Sequence, residues 1–431
     1  MPGMTFIPVH APIRFGLGRS AGEALPADPA AWLLGQLARP EPAPPGGSVA
    51  DAIAALVQDR AEPRQPGEPG RARLMFQAEQ RALLDHAVTT GTPFHERLVW
   101  FWANHFTVSI RRGEVAPLSG PYIRDAIRPH VTGRFGDMLL AVMRHPAMLL
   151  YLDNAGSTGP NSRFGQRARR GLNENLAREC LELHTVSPAA GYTQADVTEF
   201  ARVLTGWSVE RQQEPLGFRF RPGIHEPGEK TVMGRRFPEG EAGGAEALAF
   251  LAAHPATHRH LATQLVQHFV ADTPPRDAVR RIEGVLRDTG GHLGAAAQEL
   301  VRLPAAWQPL TKLRSPRDLV FAAFRAAGLP AERRPDLSGL LAGLGQAPFN
   351  APAPNGWPDT AADWAGPEAM MRRIDWAYGF AGRPELPEAP ALAETALGPL
   401  LTEQTGTEIR RAGSRREALT LLLASPEFQR R

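Results

Sequence analysis

The sequence predicts a mostly α-helical protein, a large bundle-like array of many helices in a single domain with a small β-hairpin excursion around residues 208–240. Three observations predict it. The chain of 431 residues contains 43% hydrophobic and 22% charged residues, which is ordinary for a folded protein. Apolar residues recur at helical spacing between Pro/Gly-rich loops. No fixed-period repeat is present, so a solenoid is not expected.

The first half of the chain alternates helical segments with two loops. The loops are the Pro/Gly-rich segments 39–48 and 61–70. Apolar periodicity predicts helices over residues 20–38 and 49–59, over 71–109 with an interruption near Thr90–Pro93, and over 119–151 with a break at His145-Pro146. The polar, glycine-rich segment 153–172 follows as a long loop, and residues 173–185 form the next helix.

The second half returns to helices after one excursion. Thr193, with Asp196 three residues later, is expected to cap a helix that ends near Leu204. Alternation around Phe218 and several glycines then predict the hairpin excursion. Helices follow over 244–303, 316–327, 370–378 and 415–424, with a Pro/Gly/Trp-rich loop at 345–367. We expect one unit over 1–431, with a core at 71–240 that carries the candidate site and a C-terminal helical part at 244–431.

Composition also restricts the classes of function. The formal net charge is only +3, and no basic stripe interleaved with aromatic residues is present, so nucleic-acid binding is not expected. No stretch approaches the roughly 20 apolar residues that cross a bilayer. Cys180 is the single cysteine, which excludes an intrachain disulfide. No signal peptide is visible, so the sequence as written predicts a cytoplasmic protein, and an extracytoplasmic one if a signal was trimmed or mis-annotated.

A first polar cluster lies in a very apolar helical segment, Trp100 to Phe106. Asn104 and His105 need hydrogen-bond partners if they are buried there. One interpretation is a core histidine bonded to a carbonyl group. The other is a ligand or an acid/base group held between aromatic walls.

A second cluster follows in the helix at 173–185. Asn175, Glu179 and Glu182 lie at positions i, i+4 and i+7, in one stripe, with Glu174 and Arg178 as an i,i+4 pair beside them. Two carboxylates and an amide are able to bind a divalent cation or to hold a proton donor. The alternative is a solvated charged face. Cys180 and His184 lie four residues apart, but a lone cysteine between Glu179 and Leu181 is better explained as a small core residue than as a nucleophile.

A third group surrounds a Pro-Gly turn, where His225 and Lys230 flank Pro227 and Gly228. Loop residues of this kind often line pockets. No phosphate-binding loop, dinucleotide fingerprint, zinc-protease motif or hydrolase nucleophile elbow is present, which removes the sequence support for those enzyme classes.

Taken together, these segments resemble the bacterial domain-of-unknown-function 1800 family. The resemblance covers essentially the whole chain and is strongest in Phe101–Phe106, Pro146–Asp153, Asn173–Thr185, Gly191–Val197 and Leu204–Trp207. It extends to His225, Lys230 and Gly234, and to Arg14–Gly18, Lys312, Pro316, Gly345-Gln346, Asn355–Trp357 and Ser425–Gln429. The chain differs at Ser187–Ala190, where relatives tend to have a glycine-rich turn. Many relatives look exported.

The resemblance implies that polar residues from separate segments form one site, but it supplies no reaction. The predicted catalytic residues are His105, Glu179, Glu182 and His225. The predicted binding residues are Asn104, Asn173, Asn175, Arg178 and Lys230. Glu179 and Glu182 are the candidate ligands of a divalent metal. Two functions stay open: a hydrolytic enzyme with acid/base or metal-assisted chemistry in a helical pocket, and a non-catalytic binding or assembly protein. In the second, the polar network is structural and the Pro/Gly-rich loops meet a protein partner.

Overall fold

A computed structural model describes residues 7–62, 65, 67–168 and 171–431. Residues 1–6 lie outside the described residues, and they belong to the N-terminal segment that bears on the prediction about a signal peptide. Positions 63, 64 and 66 of the predicted loop 61–70 also lie outside them. The α-helices are α1 (Pro29–Ala38), α2 (Val49–Ala61), α3 (Arg71–Thr89), α4 (Pro93–His105), α5 (Ser119–Tyr122), α6 (Phe135–Arg144), α7 (Pro146–Tyr151), α8 (Gly165–Ala168), α9 (Asn175–Glu179), α10 (Gln194–Leu204), α11 (Glu241–Ala253), α12 (Pro255–Phe269), α13 (Arg276–Asp288), α14 (Leu293–Arg302), α15 (Pro316–Ala327), α16 (Leu337–Gly343), α17 (Ala361–Trp364), α18 (Pro367–Ala381), α19 (Ala389–Ala396), α20 (Glu403–Arg411), α21 (Arg415–Ala424) and α22 (Pro426–Gln429).

Short helical turns of other types connect these helices. The π-helical turns are Ala11–Phe15, Ile123–Ile127 and Cys180–His184. The 3-10 turns are Gly113–Leu118, Arg128–His130, Asn154–Gly156, Pro188–Ala190, Pro222–Ile224, Pro304–Trp307, Ala331–Arg333 and Gly398–Leu400. The predicted fold class, a mostly α single-domain array, is therefore confirmed.

The excursion consists of two antiparallel hairpins. Strands β1 (Trp207–Glu210) and β2 (Gly217–Phe220) pair with Trp207 opposite Phe220, and β3 (Lys230–Val232) pairs with β4 (Arg235–Phe237). Trp207 is fully buried, and its ring meets Phe218 edge to face at 5.4 Å between centroids. The predicted hairpin excursion is therefore confirmed, and Trp207 anchors its start in the core.

Helix α4 runs through the centre of the molecule. Every residue of α4 except Ala103 and Asn104 is buried, which is typical of a helix surrounded by other elements on all sides. Two of its buried residues are charged, Glu96 and Arg97. They are neutralised by Arg128, 2.7 Å from Glu96, and Asp318, 3.0 Å from Arg97. The core therefore depends on ion pairs as well as on apolar packing.

The helix predicted over 173–185 is shorter and changes type. It is α-helical from Asn175 to Glu179 and then widens into the π-helical turn Cys180–His184. Asn173 lies just before the helix, and its side-chain oxygen accepts a hydrogen bond from the Asn175 amide at 2.9 Å. The extra residue in a π turn shifts the following side chains around the axis, so the stripe expected for an ideal α-helix does not continue past Glu179.

Local signals place the start of α15 beside α4. The Ser315 hydroxyl caps the helix by accepting the Asp318 amide at 3.2 Å, and Pro316 occupies the first turn. Gly328 ends the helix in the left-handed region, with φ of +62°. The cap holds Arg317 and Asp318 in the first turn, which faces α4 and α12.

Candidate functional site

A polar cavity of about 210 Å³ lies between α4, α12, the start of α15 and the loop 345–359. Its lining combines carboxamide, imidazole and charged side chains, which include Asn104, His105, Gln264, Gln267, Arg317 and Gln346. We call it the polar cavity. It takes residues from both the 71–240 core and the C-terminal part predicted from the sequence.

His105 is buried at the wall of the polar cavity, and both of its ring nitrogens face oxygen atoms. Nδ1 lies 2.6 Å from the Gln264 side-chain oxygen and Nε2 lies 3.2 Å from the His184 carbonyl oxygen. Burial, reinforced by the nearby His260, lowers the pKa of His105 to about 3. A neutral imidazole has one N–H group, so His105 is able to donate to only one of these two acceptors.

Two further histidines pack against His105. Its ring centroid lies 5.6 Å from that of His184 and 6.2 Å from that of His260. Neither ring nitrogen of His184 has a hydrogen-bond partner among the described residues, and burial holds the pKa of His184 well below its ordinary value. Within the described part of the chain, no group of three or more His, Cys, Asp or Glu side chains is arranged to hold a metal ion.

Asn104 fastens the loop 345–359 over the cavity. Its side-chain amide donates to the Trp357 carbonyl at 2.9 Å, and its side-chain oxygen accepts the Trp357 amide at 2.8 Å. Gly356 permits this approach, because a Cβ there would lie 2.5 Å from the Asn104 carbonyl oxygen. Ile110 and Ser109 hold the same loop through the Phe349 and Ala351 carbonyls. Asn104 therefore has a structural role and also lines the cavity.

Glu179 and Glu182 form a separate, partly exposed pair. Neither carboxylate makes a hydrogen bond or ion pair with another described residue. Burial and the charge of Glu182 raise the pKa of Glu179, and the charge of Glu179 also contributes to raising the pKa of the buried Tyr151. With no third carboxylate, thiol or imidazole arranged beside them in the described residues, the pair does not make a complete metal-binding set.

The other predicted residues of this helix serve local structure. Arg178 pairs with Glu174 at 2.8 Å, as expected from their i,i+4 spacing, and not with Glu179. Glu174 is also bonded by Gln194 and Thr198, which joins the helix to α10. Asn175 is exposed. These contacts do not place Arg178, Asn173 or Asn175 at the polar cavity.

His225 and Lys230 form a third, closed group at the base of the hairpins. His225 Nδ1 donates to the Thr205 carbonyl at 2.7 Å, and Nε2 accepts the Gly240 amide at 2.9 Å. The Lys230 ammonium contacts the Glu226 carbonyl and lies 3.2 Å from His225 Nε2. No hydrogen bond, ion pair or ring contact of the described residues joins this group to His105 or to Glu179. The structure therefore separates the predicted site residues into three places.

A buried ion network forms the floor of the polar cavity. Asp318 accepts a hydrogen bond from Arg97 at 3.0 Å and forms an ion pair with Arg431 at 2.8 Å. Asp359 accepts hydrogen bonds from Arg431 at 3.0 Å and from His268 at 2.7 Å. Burial raises the pKa of Asp318, but the charges of Arg97 and Arg431 outweigh burial and hold it well below its ordinary value. The carboxylates of Asp318 and Asp359 and the side chains of Arg97, Arg431 and His268 are therefore partners of one another.

Arg317 lines the same cavity and forms no ion pair with a described residue, although the charges of Asp318 and Asp359 act on it from a distance. Its backbone amide donates to Gln346 at 2.8 Å, but its guanidinium makes no hydrogen bond or ion pair with any described residue. It lies over the Trp100 ring, 5.1 Å from the centroid. Arginine carries five N–H donors in a planar fork that matches carboxylates and phosphates. The cavity therefore contains a cation with unused hydrogen-bonding capacity.

Arg317, Gln264, Gln267 and Gln346 were not among the predicted site residues. One signal for them is the spacing of His260, Gln264 and Gln267 at i, i+4 and i+7 on one face of α12. Another is that Gln346 and Asn355–Trp357 belong to the family resemblance but were not assigned to a site. Arg317 has no comparable sequence signal, because arginine is abundant throughout the chain.

The fold and the polar cavity define a mostly helical protein with a buried, arginine-containing pocket. The sequence profile of the family described as Protein of unknown function (DUF1800) matches residues 10–430. The chain belongs to that family. No curated protein and no solved structure matches the chain significantly. In the described part of the chain, no helix combines the length and the apolar character that crossing a membrane requires.

Proposed function

We propose that the protein binds a small anionic ligand in the polar cavity, with Arg317 as the anchor. The single observation that carries this proposal is the unpaired guanidinium of Arg317 at the wall of a cavity. Burying a charge without a partner is costly, so a site of this kind gains free energy when an anion enters. The carboxamides of Gln264, Gln267 and Gln346 supply neutral donors and acceptors that orient such a ligand.

The volume of the polar cavity sets the size of the ligand. A water-sized group occupies about 10–15 Å³ on this measure, so 210 Å³ accommodates on the order of 15 to 20 such groups. A metabolite-sized acid is within this range, whereas a folded protein or a polymer is not. The predicted protein partner of the Pro/Gly-rich loops stays a separate prediction, since the loop 345–359 is fastened over the cavity.

Thermal unfolding with acetate, citrate and inorganic phosphate tests the proposal. An anion at about 100 times its Kd stabilises the folded state by about 2.7 kcal/mol. Arg317→Met keeps the length of the side chain and removes the charge, so it should abolish the stabilisation, while Arg317→Lys should retain part of it. Arg280→Met is the matched control, because Arg280 is exposed and pairs with Asp277 on the surface. Stabilisation that is equal in wild type and Arg317→Met would contradict the proposal.

A second candidate function is acid/base chemistry, specifically hydrolysis, at Glu179 and Glu182. The observation that favours it is a carboxylate pair without hydrogen-bond partners among the described residues, in which burial and then the charge of Glu182 raise the pKa of Glu179. A screen of chromogenic ester, phosphate-ester and peptide substrates, with Glu179→Gln beside wild type, tests it. Activity that Glu179→Gln leaves unchanged at every pH would exclude this pair.

The metal-assisted version of the second candidate has its own test. The melting temperature of wild type is measured without additions, with a chelator and with added divalent ions. These three values should differ only if a cation binds the folded state. Glu179→Gln should remove any such difference. An unchanged melting temperature in all three conditions would exclude a metal at Glu179 and Glu182.

A further inference from the structure

A second, smaller cavity of about 50 Å³ adjoins the polar cavity. Its lining is mostly apolar, and includes Leu84, Trp100, Ala103, Leu341, Phe349 and Ala351. We call it the apolar cavity. On α4, Trp100 and Ala103 line the apolar cavity, whereas Phe101 and His105 line the polar cavity.

The two cavities share one wall. Asn104, Arg317, Gln346 and Trp357 line both of them. Asn104 and Trp357 are bonded to each other, and Gln346 accepts the backbone amide of Arg317. The guanidinium of Arg317 is therefore the group at the boundary that is free to bind an anion, with polar surroundings on one side and apolar surroundings on the other.

The charge at this boundary favours a monoanion. Arg317 is one cation, and its neighbours Asp318 and Asp359 are already committed to Arg97, Arg431 and His268. A phosphate dianion would bring two negative charges close to these carboxylates with one free guanidinium to balance them. A carboxylate matches the single planar fork of an arginine in charge and geometry.

We infer that the ligand is a small carboxylic acid with a polar, hydrogen-bonding arm on one side of the carboxylate and a short apolar branch on the other. This inference rests on the proposed anion site and specifies its ligand. The carboxylate binds Arg317, the polar arm lies among the carboxamides of the polar cavity, and the branch enters the apolar cavity. At about 10–15 Å³ for each water-sized group, 50 Å³ holds roughly three to five such groups. A branch of three or four carbons has the right size.

Three acetylated amino acid derivatives separate these features by isothermal titration calorimetry. N-acetyl-L-valine has the carboxylate, an amide arm and a three-carbon branch. N-acetylglycine lacks the branch, and N-acetyl-L-valinamide lacks the charge. Each buried CH₂-sized group contributes about 0.8 kcal/mol, so N-acetyl-L-valine should bind at least about tenfold more tightly than N-acetylglycine. N-acetyl-L-valinamide should bind at least about tenfold more weakly than N-acetyl-L-valine, since it forms no charge-assisted bond with Arg317.

Ala103→Leu fills the apolar cavity from α4 with a good helix former. It should bring the affinity for N-acetyl-L-valine down to that for N-acetylglycine and leave N-acetylglycine unaffected. Ala351→Val fills the same cavity from the loop and replaces Ala103→Leu if that variant does not fold. Arg280→Met again serves as the control with unchanged binding.

The outcomes separate this inference from the proposal on which it rests. Equal affinities for the valine and glycine derivatives, or a preference for valine that persists in both cavity-filling variants, would overturn the inference and leave anion binding intact. Binding of phosphate without binding of N-acetyl-L-valine or N-acetylglycine would likewise overturn the inference and leave anion binding intact. If no anion binds wild type, the proposed function itself fails.

Discussion

The polar cavity and the His225–Lys230 group both bury charged side chains, but they complete their hydrogen bonds to different extents. At the base of the hairpins, both ring nitrogens of His225 have a partner, and the Lys230 ammonium contacts a carbonyl group. In the polar cavity, the guanidinium of Arg317 has none among the described residues. A polar network in which every hydrogen bond is made helps to specify the fold. A polar group at a cavity wall without a hydrogen-bond partner instead indicates a candidate binding site.

The presence of buried polar residues therefore does not by itself identify a functional site. His225 and Lys230 are candidate site residues in the sequence because they flank a Pro-Gly turn, but their contacts give them a structural role. No sequence pattern predicts a role for Arg317. Substitutions in the two regions should therefore differ in their effects on stability.

Asp318→Asn should reduce the free energy of unfolding by about 3–5 kcal/mol, because it leaves two buried guanidinium groups without a full counter-charge. Arg97 and Arg431 both depend on this carboxylate. Urea denaturation measures the change. Asp277→Asn is the matched control, since the Asp277 side chain is 85% exposed. A loss below about 1 kcal/mol, the range of exposed ion pairs, would show that the floor of the polar cavity is not a buried network.

Lys230→Met should reduce the free energy of unfolding by about 1–3 kcal/mol, because the Glu226 carbonyl loses its donor in a buried position. Arg236→Met, at an exposed position of the same hairpin, is the control and should change stability little. If both substitutions have the same small effect, the group is not the closed structural element that its contacts indicate.

The burial of His105 should make stability depend on pH. Its pKa is about 3 in the folded state, below the ordinary value of 6.5, so the unfolded chain binds a proton first as the pH falls. Stability from this group is full above pH 6.5 and declines by up to about 1.4 kcal/mol per pH unit between 6.5 and 3. His105→Gln should reduce the slope of stability against pH in that range and leave it unchanged above pH 7. An identical slope in both proteins between pH 6.5 and 5 would contradict the assignment.

Arg317→Met should lower the free energy of unfolding by less than about 1 kcal/mol, because the lost cation–π contact with Trp100 is on that scale and removal of a charge without an ion pair acts in the opposite direction. Removing this charge breaks no hydrogen bond of its side chain, in contrast to Lys230→Met. Urea denaturation of the two variants in ligand-free buffer makes the comparison directly. A loss for Arg317→Met as large as that for Lys230→Met would show that Arg317 is a structural residue.

The sequence predicts the parts of this fold that local interactions determine. Thr193 caps α10 with Asp196 in a reciprocal capping box, as expected from their spacing, and Trp207 is buried where the hairpins begin. Prediction from local spacing fails where the type of helix changes. The π turn at Cys180–His184 changes which faces the following residues occupy, and no local spacing rule anticipates it.

The site is less predictable than the fold, because it is made by residues that are distant in sequence. Asn104 and His105 line the polar cavity, whereas their positions in an apolar helix left both a core role and a site role open. Their neighbours come from α12, α15 and the loop 345–359, and only tertiary packing brings these together. The joint action of Glu179, Glu182 and His225 with His105 stays a prediction, although the contacts of the described residues place them in separate groups.

The paired hydrogen bonds between Asn104 and Trp357 have a consequence for the kinetics of folding. They join residues 253 positions apart, so the chain must close a very long loop before they form. Contacts of such high sequence separation generally contribute little until most of the native structure is in place, and their loss then accelerates unfolding more than it slows folding. We therefore expect both cavities to be completed late in folding, and the lifetime of the folded state to depend on this one amide.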